Sequence, residues 1–213
     1  MKKFWLALLC PLALLGQAGS APSPRAVDLW NGRDLAGWKL FLNDPAFAPA
    51  GAWSAANGVL RLDAGKINGY LRTEKEFSNY RLTVEWRWAP DAPETANSGV
   101  LLHVHGPDAI WPLSFEAQLR AGNAGQVVGM GVNIPDVPVQ NNRTRSPRLA
   151  DSSEKPRGEW NRYVITCRAD TIEVYVNDVR QNFVTKLPVA TGAIALQLEG
   201  HPVEFRTVRL EPL

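Results

Sequence analysis

Arg81-Leu82-Thr83-Val84-Glu85-Trp86-Arg87-Trp88 alternates without a break: Leu82, Val84, Trp86 and Trp88 share one side of an extended chain, and Arg81, Thr83, Glu85 and Arg87 share the other. A segment with that period is a β-strand with one face packed and one face polar. The same period runs through residues 114–120, Thr171–Val176 and Ala193–Glu199, so each of these strands has a definite inside. Between Trp53-Ser54-Ala55 and Val59-Leu60-Arg61-Leu62 stands Asn57-Gly58, two residues that tolerate the positive φ of a tight hairpin. Asn177-Asp178 joins its flanking strands in the same manner. With no internal repeat and no long helical period, the expected fold is all-β: an antiparallel two-sheet jelly-roll sandwich around one core.

The chain has 213 residues, 45% of them hydrophobic and 21% charged, which fits one soluble domain and excludes disorder, collagen and coiled coil. Its formal charge of +2 needs correcting before it is used. Met1-Lys2-Lys3 is a short basic start, residues 4–15 are apolar apart from Cys10 and Pro11, and Gly16-Gln17-Ala18-Gly19-Ser20-Ala21 supplies small residues. Residues 1–20 read as a cleaved signal peptide, followed by a short linker at 21–27 and a single domain at 28–213. The apolar run is shorter than the ~20 residues of a spanning helix, so no stable membrane insertion is expected. Cleavage removes Lys2 and Lys3 and no acid, which leaves 21 basic against 21 acidic side chains. A neutral exported chain gives no electrostatic argument for nucleic acid, and the expected location is periplasmic or secreted. Cys10 as a lipoprotein cysteine is the weaker reading, because Leu9 precedes it where a small residue is expected. Cys167 then remains alone, without an intrachain disulfide partner, and shares the parity of Ile165 as a buried small hydrophobe.

Residues 121–158 break the alternation with five glycines, four prolines and Asn141-Asn142-Arg143-Thr144-Arg145. This reads as a long loop, either a lid or binding loop beside a polar sheet face or a mobile insertion.

There is no phosphate-binding loop, zinc spacing, nucleophile elbow or calcium loop. His103 and His105 stand two apart in Val100-Leu101-Leu102-His103-Val104-His105, so an uninterrupted strand points both to one face, where they hold a metal, move protons or hydrogen-bond across the sheet. Glu116 and Gln118 repeat that spacing, as do Gln197, Glu199 and His201, and Glu85 with Arg87. Taken singly these are solvated strand faces; converging on one sheet, with Trp111 at its edge, they form the carboxylate, amide and aromatic lining that suits a sugar. Trp30, Trp38, Trp53, Trp86, Trp88 and Trp160 are expected in the core.

Five ordered blocks carry a resemblance: Leu29-Trp30-Asn31-Gly32-Arg33-Asp34-Leu35-Ala36-Gly37-Trp38, Asn97-Ser98-Gly99-Val100-Leu101-Leu102, Phe115-Glu116-Ala117-Gln118-Leu119, Gly158-Glu159-Trp160-Asn161-Arg162 and Glu204-Phe205-Arg206-Thr207-Val208-Arg209-Leu210. The chain resembles the 3-keto-disaccharide hydrolase domain family over residues 28–213. The resemblance implies a concanavalin A-like jelly roll, export, and action on an oligosaccharide or glycoside whose glucose ring is oxidised to a ketone at C3. That ketone acidifies C2–H, so a base can remove the proton, the anomeric group leaves by elimination, and water adds. It also implies one divalent metal ion and no organic cofactor.

Carried over residue by residue, Glu116 is the principal carboxylate as base or metal ligand, and His103 is a metal ligand or proton-transfer group. Glu199 completes the catalytic set. Gln118, Asn97, Arg87, Trp111, Gln197 and His105 bind substrate. Two other readings stay open: a non-catalytic, lectin-like carbohydrate-binding module, and an ordinary retaining glycosidase, which needs two carboxyls roughly 5–5.5 Å apart.

Overall fold

The computed structural model describes residues 25–213, so the signal-peptide reading of residues 1–20 and most of the linker lie outside the described residues. The first strands are β1 (Val27–Asp28), β2 (Trp38–Leu42), β3 (Trp53–Ala56), β4 (Val59–Leu62), β5 (Asn68–Thr73), β6 (Tyr80–Trp88), β7 (Gly99–His105) and β8 (Leu113–Gln118). They are followed by β9 (Val127–Met130), β10 (Val139–Gln140), β11 (Arg143–Ser146), β12 (Asn161–Arg168), β13 (Thr171–Val176), β14 (Val179–Val184), β15 (Ala193–Glu199) and β16 (Val203–Pro212). Two antiparallel sheets result, one in the order β14-β13-β12-β6-β16-β4-β3 with β1 also on β16, the other β10-β11-β9-β8-β7-β15-β5-β2. This is the two-sheet jelly roll that the alternation implies.

The first sheet packs the apolar side of β6 inward. Leu82, Val84, Trp86 and Trp88 are buried, and their cross-strand partners Ile165 and Tyr163 on β12 extend the same layer. From the second sheet Leu71, Val100, Leu102, Phe115, Ala117, Val127, Ile194 and Leu196 close the core from the other side. Cys167 lies in this layer, where burial pushes its thiol up to about 12, so it packs as a small hydrophobe. Asn57 and Gly58 take φ of 52° and 80°, the paired positive values of a tight hairpin.

Residues 121–158 are not a structureless loop. β9, β10 and β11 extend the second sheet beyond β8, and residues 147–153 form a strap pinned by side-chain amides that stand in for a strand. Asn182 donates to the carbonyls of Ser146 and Pro147, Gln181 to that of Asp151, and Asn177 to that of Ser153. The loop expectation fails because glycine and proline, ordinary loop signals, here punctuate short strands whose polar partners are distant in sequence.

Alternation also fails once inside a strand. On β7, Leu102 pairs with Phe115 and His105 with Leu113, so three steps on β7 face two on β8; Leu101 pairs with Ala195 and Val104 with Ala193, the same mismatch against β15. One extra residue is therefore bulged out of β7, and His103 holds it with φ 51°. Gly192 makes this bulge fit, since a Cβ there would stand 2.5 Å from the His103 carbonyl carbon.

Candidate functional site

Residues paired across antiparallel strands share a face, so the register defines the site. Arg145 pairs with Val128, Val128 with Glu116, Glu116 with Leu101, Leu101 with Ala195, and Ala195 with Arg72. This row crosses the outer face of the second sheet, on the side away from the core. Gln118 follows Glu116 on the same face of β8, and Gln197 and Glu199 follow Ala195 on β15. The expected grouping of Glu116, Gln118, Gln197 and Glu199 on one face is therefore observed.

Glu116 is only 3% exposed. Its carboxyl lies flat over β7, where Gly99 leaves the space: a Cβ on Gly99 would sit 2.6 Å from Glu116 Oε1. That oxygen has no hydrogen-bond partner, and neither have Gln197 Oε1 and Asn97 Oδ1, two further buried acceptors of this region. Burial raises the Glu116 carboxyl to about 8, repulsion from Glu199 adds to the rise, and Arg143 and Arg145 oppose it. Glu199 is raised by its own burial, against a hydrogen bond from Asn97 and the charges of Arg143, His201 and Arg145. The wall holding these groups is tied together: Ser98 Oγ donates to the Gln197 carbonyl at 2.8 Å, and the Asn97 backbone N–H donates to His201 Nδ1 at 3.3 Å.

Trp111, half-buried in the connection between β7 and β8, carries the Arg143 guanidinium 5.4 Å from its ring centroid, and the charge of Arg143 also acts on Glu116 and Glu199. Asp108 anchors the same connection by accepting from Tyr70 Oη and Arg72 Nη1, both at 2.9 Å. Gln118 is fixed at both ends: its Oε1 accepts from Arg120 N–H at 3.1 Å, and its carbonyl accepts from Tyr163 Oη, which reaches across from the first sheet.

Three expected site residues lie elsewhere. The β7 bulge turns His103 into the core, fully buried, with its ring edge-on to Tyr80 and Phe115. Phe115 and Glu116 are consecutive on β8, so His103 and Glu116 are on opposite faces of the sheet. His103 Nδ1–H donates to the Val189 carbonyl at 3.2 Å, and burial lowers the imidazole to about 4. His105 does not share the Glu116 face either, because it follows outward-facing Val104 and its Nδ1–H folds back to the His103 carbonyl at 2.8 Å.

Arg87 belongs to the other sheet. It pairs with Glu204 at 2.6 Å and lies 4.6 Å from the Trp160 ring centroid, as does Arg206. Trp160 is therefore clasped by guanidiniums on the outer face rather than packed in the core. A shallow depression there, lined by Glu85, Trp160, Arg162 and Arg206 among others, is separate from the carboxylate site.

Arg143 and Arg145 are the site residues that sequence reasoning missed. Their signal was the alternation Arg143-Thr144-Arg145-Ser146, hidden inside a segment read as loop. The divalent metal implied by the resemblance does not fit these residues: His103 and Glu116 cannot share an ion across the sheet. No group of three His, Cys, Asp or Glu side chains among the described residues could hold one. The positive charges that act on Glu116 are the guanidiniums of Arg143 and Arg145, and both also act on Glu199, there together with His201.

Fold and site together define a jelly-roll domain of the glycosyl hydrolase-like or carbohydrate-binding class. The chain belongs to the 3-keto-alpha-glucoside-1,2-lyase-like domain family, which matches residues 25–211. Among solved structures, a candidate glycosyl hydrolase from Parabacteroides distasonis ATCC 8503 is 21% identical at a TM-score of 0.64, over 88% of this chain and 94% of that one. A β-glucanase from Bacillus licheniformis is 14% identical at 0.60, over 90% and 99%. The carbohydrate-binding module CBM66 from Bacillus subtilis is 10% identical at 0.60, over 82% and 96%. These likenesses establish the fold. Comparison with curated protein sequences gives no match.

Proposed function

We propose that this chain cleaves glycosides whose sugar ring carries a ketone at C3, with Glu116 as the base that removes the C2 proton. The observation that carries the reading is the Glu116 carboxyl itself: buried, with Oε1 unpartnered, and raised to about 8. A carboxylate with that value is a stronger base than an ordinary one and still ionises near neutral pH. Membership of the 3-keto-alpha-glucoside-1,2-lyase-like domain family supports the choice of substrate class. The unpartnered oxygens of Gln197 and Asn97 are acceptors that need donors, and sugar hydroxyls are donors.

In the reaction, the C2–H electron pair moves into the ring as the proton passes to Glu116, giving an enolate with its negative charge on the C3 oxygen. The ketone then re-forms, a C1–C2 double bond forms, and the C1–O bond to the aglycone breaks. Glu199, whose carboxyl burial pushes above the ordinary carboxylate range, is the group on the adjoining wall assigned to protonate the departing oxygen. Addition of water to C1–C2 completes hydrolysis. The basic, apolar and small-residue segments at 1–20 support work in the periplasm or outside the cell, which N-terminal sequencing of the exported protein tests.

The deciding experiment offers a 3-keto-glucoside and its unoxidised parent side by side. Cleavage of the oxidised compound alone, lost in Glu116→Gln, supports elimination. Equal cleavage of both indicates a retaining glycosidase, and binding without turnover indicates a lectin-like module, to which CBM66 is the structural parallel.

A further inference from the structure

The proposed elimination needs a positive group at the C3 oxygen, where the enolate charge collects, and the donors for a metal ion do not assemble. Two residues of β11 offer that charge. Arg143 and Arg145 are two apart on one strand, and Arg145 lies in the same cross-sheet row as Glu116, with Val128 between them. Two strand spacings separate their backbones, about 10 Å, so the long arginine side chain can close most of the gap. Arg145 Nε is buried with no hydrogen-bond partner, and neither Arg143 nor Arg145 forms an ion pair among the described residues. A buried N–H without an acceptor is costly unless a ligand supplies one. Opposite it stand the unpartnered Glu116 Oε1, Gln197 Oε1 and Asn97 Oδ1. The site thus presents acceptors on one side and a cationic donor on the other, which is the pattern a ring with hydroxyls and one developing oxyanion would satisfy.

Resting on the Glu116 reading above, we propose that Arg145 is a catalytic residue that hydrogen-bonds the C3 oxygen and stabilises the enolate, so that in this chain a guanidinium does the work of the metal ion. Arg143, held over the Trp111 ring, adds charge and orients the glycoside from the rim. The atoms balance without a co-reactant: C2–H breaks, its proton goes to Glu116, its electron pair becomes the C2–C3 double bond, and the carbonyl pair moves to O3 beside Arg145. The pair returns when the aglycone oxygen leaves.

The test uses the full-length exported protein and a 3-keto-glucoside. Wild type dialysed against chelator, with metal content checked by elemental analysis, should retain its activity within about twofold. Arg145→Met should lower kcat at least about 100-fold with a smaller change in KM, as loss of one oxyanion donor does. Millimolar guanidinium should restore part of the loss, and Arg145→Lys should keep more activity than Arg145→Met. A folded Arg145→Met with wild-type kcat overturns the proposal, and so does wild-type activity that chelator abolishes and a divalent metal restores. Calorimetric binding of the 3-keto-glucoside to Glu116→Gln gives a readout apart from turnover: adding Arg145→Met should weaken it at least fivefold, and unchanged binding counts against the contact. If wild type does not cleave the oxidised glucoside at all, the Glu116 reading falls first and the role of Arg145 falls with it. If wild type cleaves it and only the arginine results fail, the Glu116 reading stands alone.

Discussion

Gly99 and Glu116 share one volume: the carboxyl of Glu116 occupies the space that any side chain at position 99 would need, with Oε1 2.6 Å from where a Cβ would be. The glycine of the Asn97-Ser98-Gly99 block is thereby explained by contact rather than by turn geometry. Gly99→Ala is expected to push the Glu116 carboxyl off its site and to destabilise the fold by about 1–3 kcal/mol, the usual cost of overpacking. Turnover of the oxidised glucoside should fall at least about tenfold, following the steep dependence of proton transfer on position. Steady-state kinetics with a parallel thermal melt check this, and an unimpaired Gly99→Ala enzyme would contradict the packing.

Protonation of Glu116 couples stability to pH. The folded value is about 8 against an ordinary 4.5, so between those limits the folded chain holds a proton that the unfolded chain has lost. Stability from this group is fully present below about 4.5 and is lost as pH rises through 8. Glu116→Gln removes the effect, so it should melt higher than wild type at pH 9, by a few kcal/mol, and the difference should shrink toward pH 5. Activity runs the other way, because the base must be ionised: kcat/KM of wild type should climb with pH to a plateau above about 8. Melts and rate profiles on the same buffers test both signs.

His103 gives the opposite slope. Its folded value is about 4 against an ordinary 6.5, so as pH falls through that window the unfolded chain takes up a proton that the folded chain refuses. Wild type should lose stability between 6.5 and 4 on this account, and His103→Phe should flatten that limb in a comparison of melting curves. The variant should leave the pH profile of catalysis unmoved, because the ring faces the core.

Trp111 is the half-buried aromatic at the rim, with Arg143 against it. Trp111→Ala should weaken substrate binding roughly tenfold, as expected for one aromatic contact worth about 1.4 kcal/mol. Its kcat should change less than its KM, since the ring touches no reacting atom.

Arg87 supplies the contrast. Its contacts are Glu204 on β16 and, in the segment leading into β12, the Gly158 carbonyl and the Trp160 ring. Arg87→Gln should cost about 1 kcal/mol in thermal stability and leave turnover within about twofold. A large loss of activity in a stable Arg87→Gln protein would show that the two outer faces communicate.

The alternation of Arg81 to Trp88, the Asn57-Gly58 hairpin and the ordered family blocks were enough to establish an all-β sandwich and its family from the sequence. They also set Glu116 with Gln118 and Gln197 with Glu199, because residues two apart on an unbroken strand must share a face. What parity cannot reveal is which sheet a strand joins or where it breaks. Arg87 has the same polar alternation as Glu116 and lies on the other sheet, and one bulged residue in β7 sends His103 inward without any change in residue type. Arg143 and Arg145 enter the site only through the pairing of β11 with β9, a contact between segments whose own sequence reads as loop. The proton on Glu116 was likewise decided by tertiary structure, since its affinity comes from burial and from the charges that folding brings within reach.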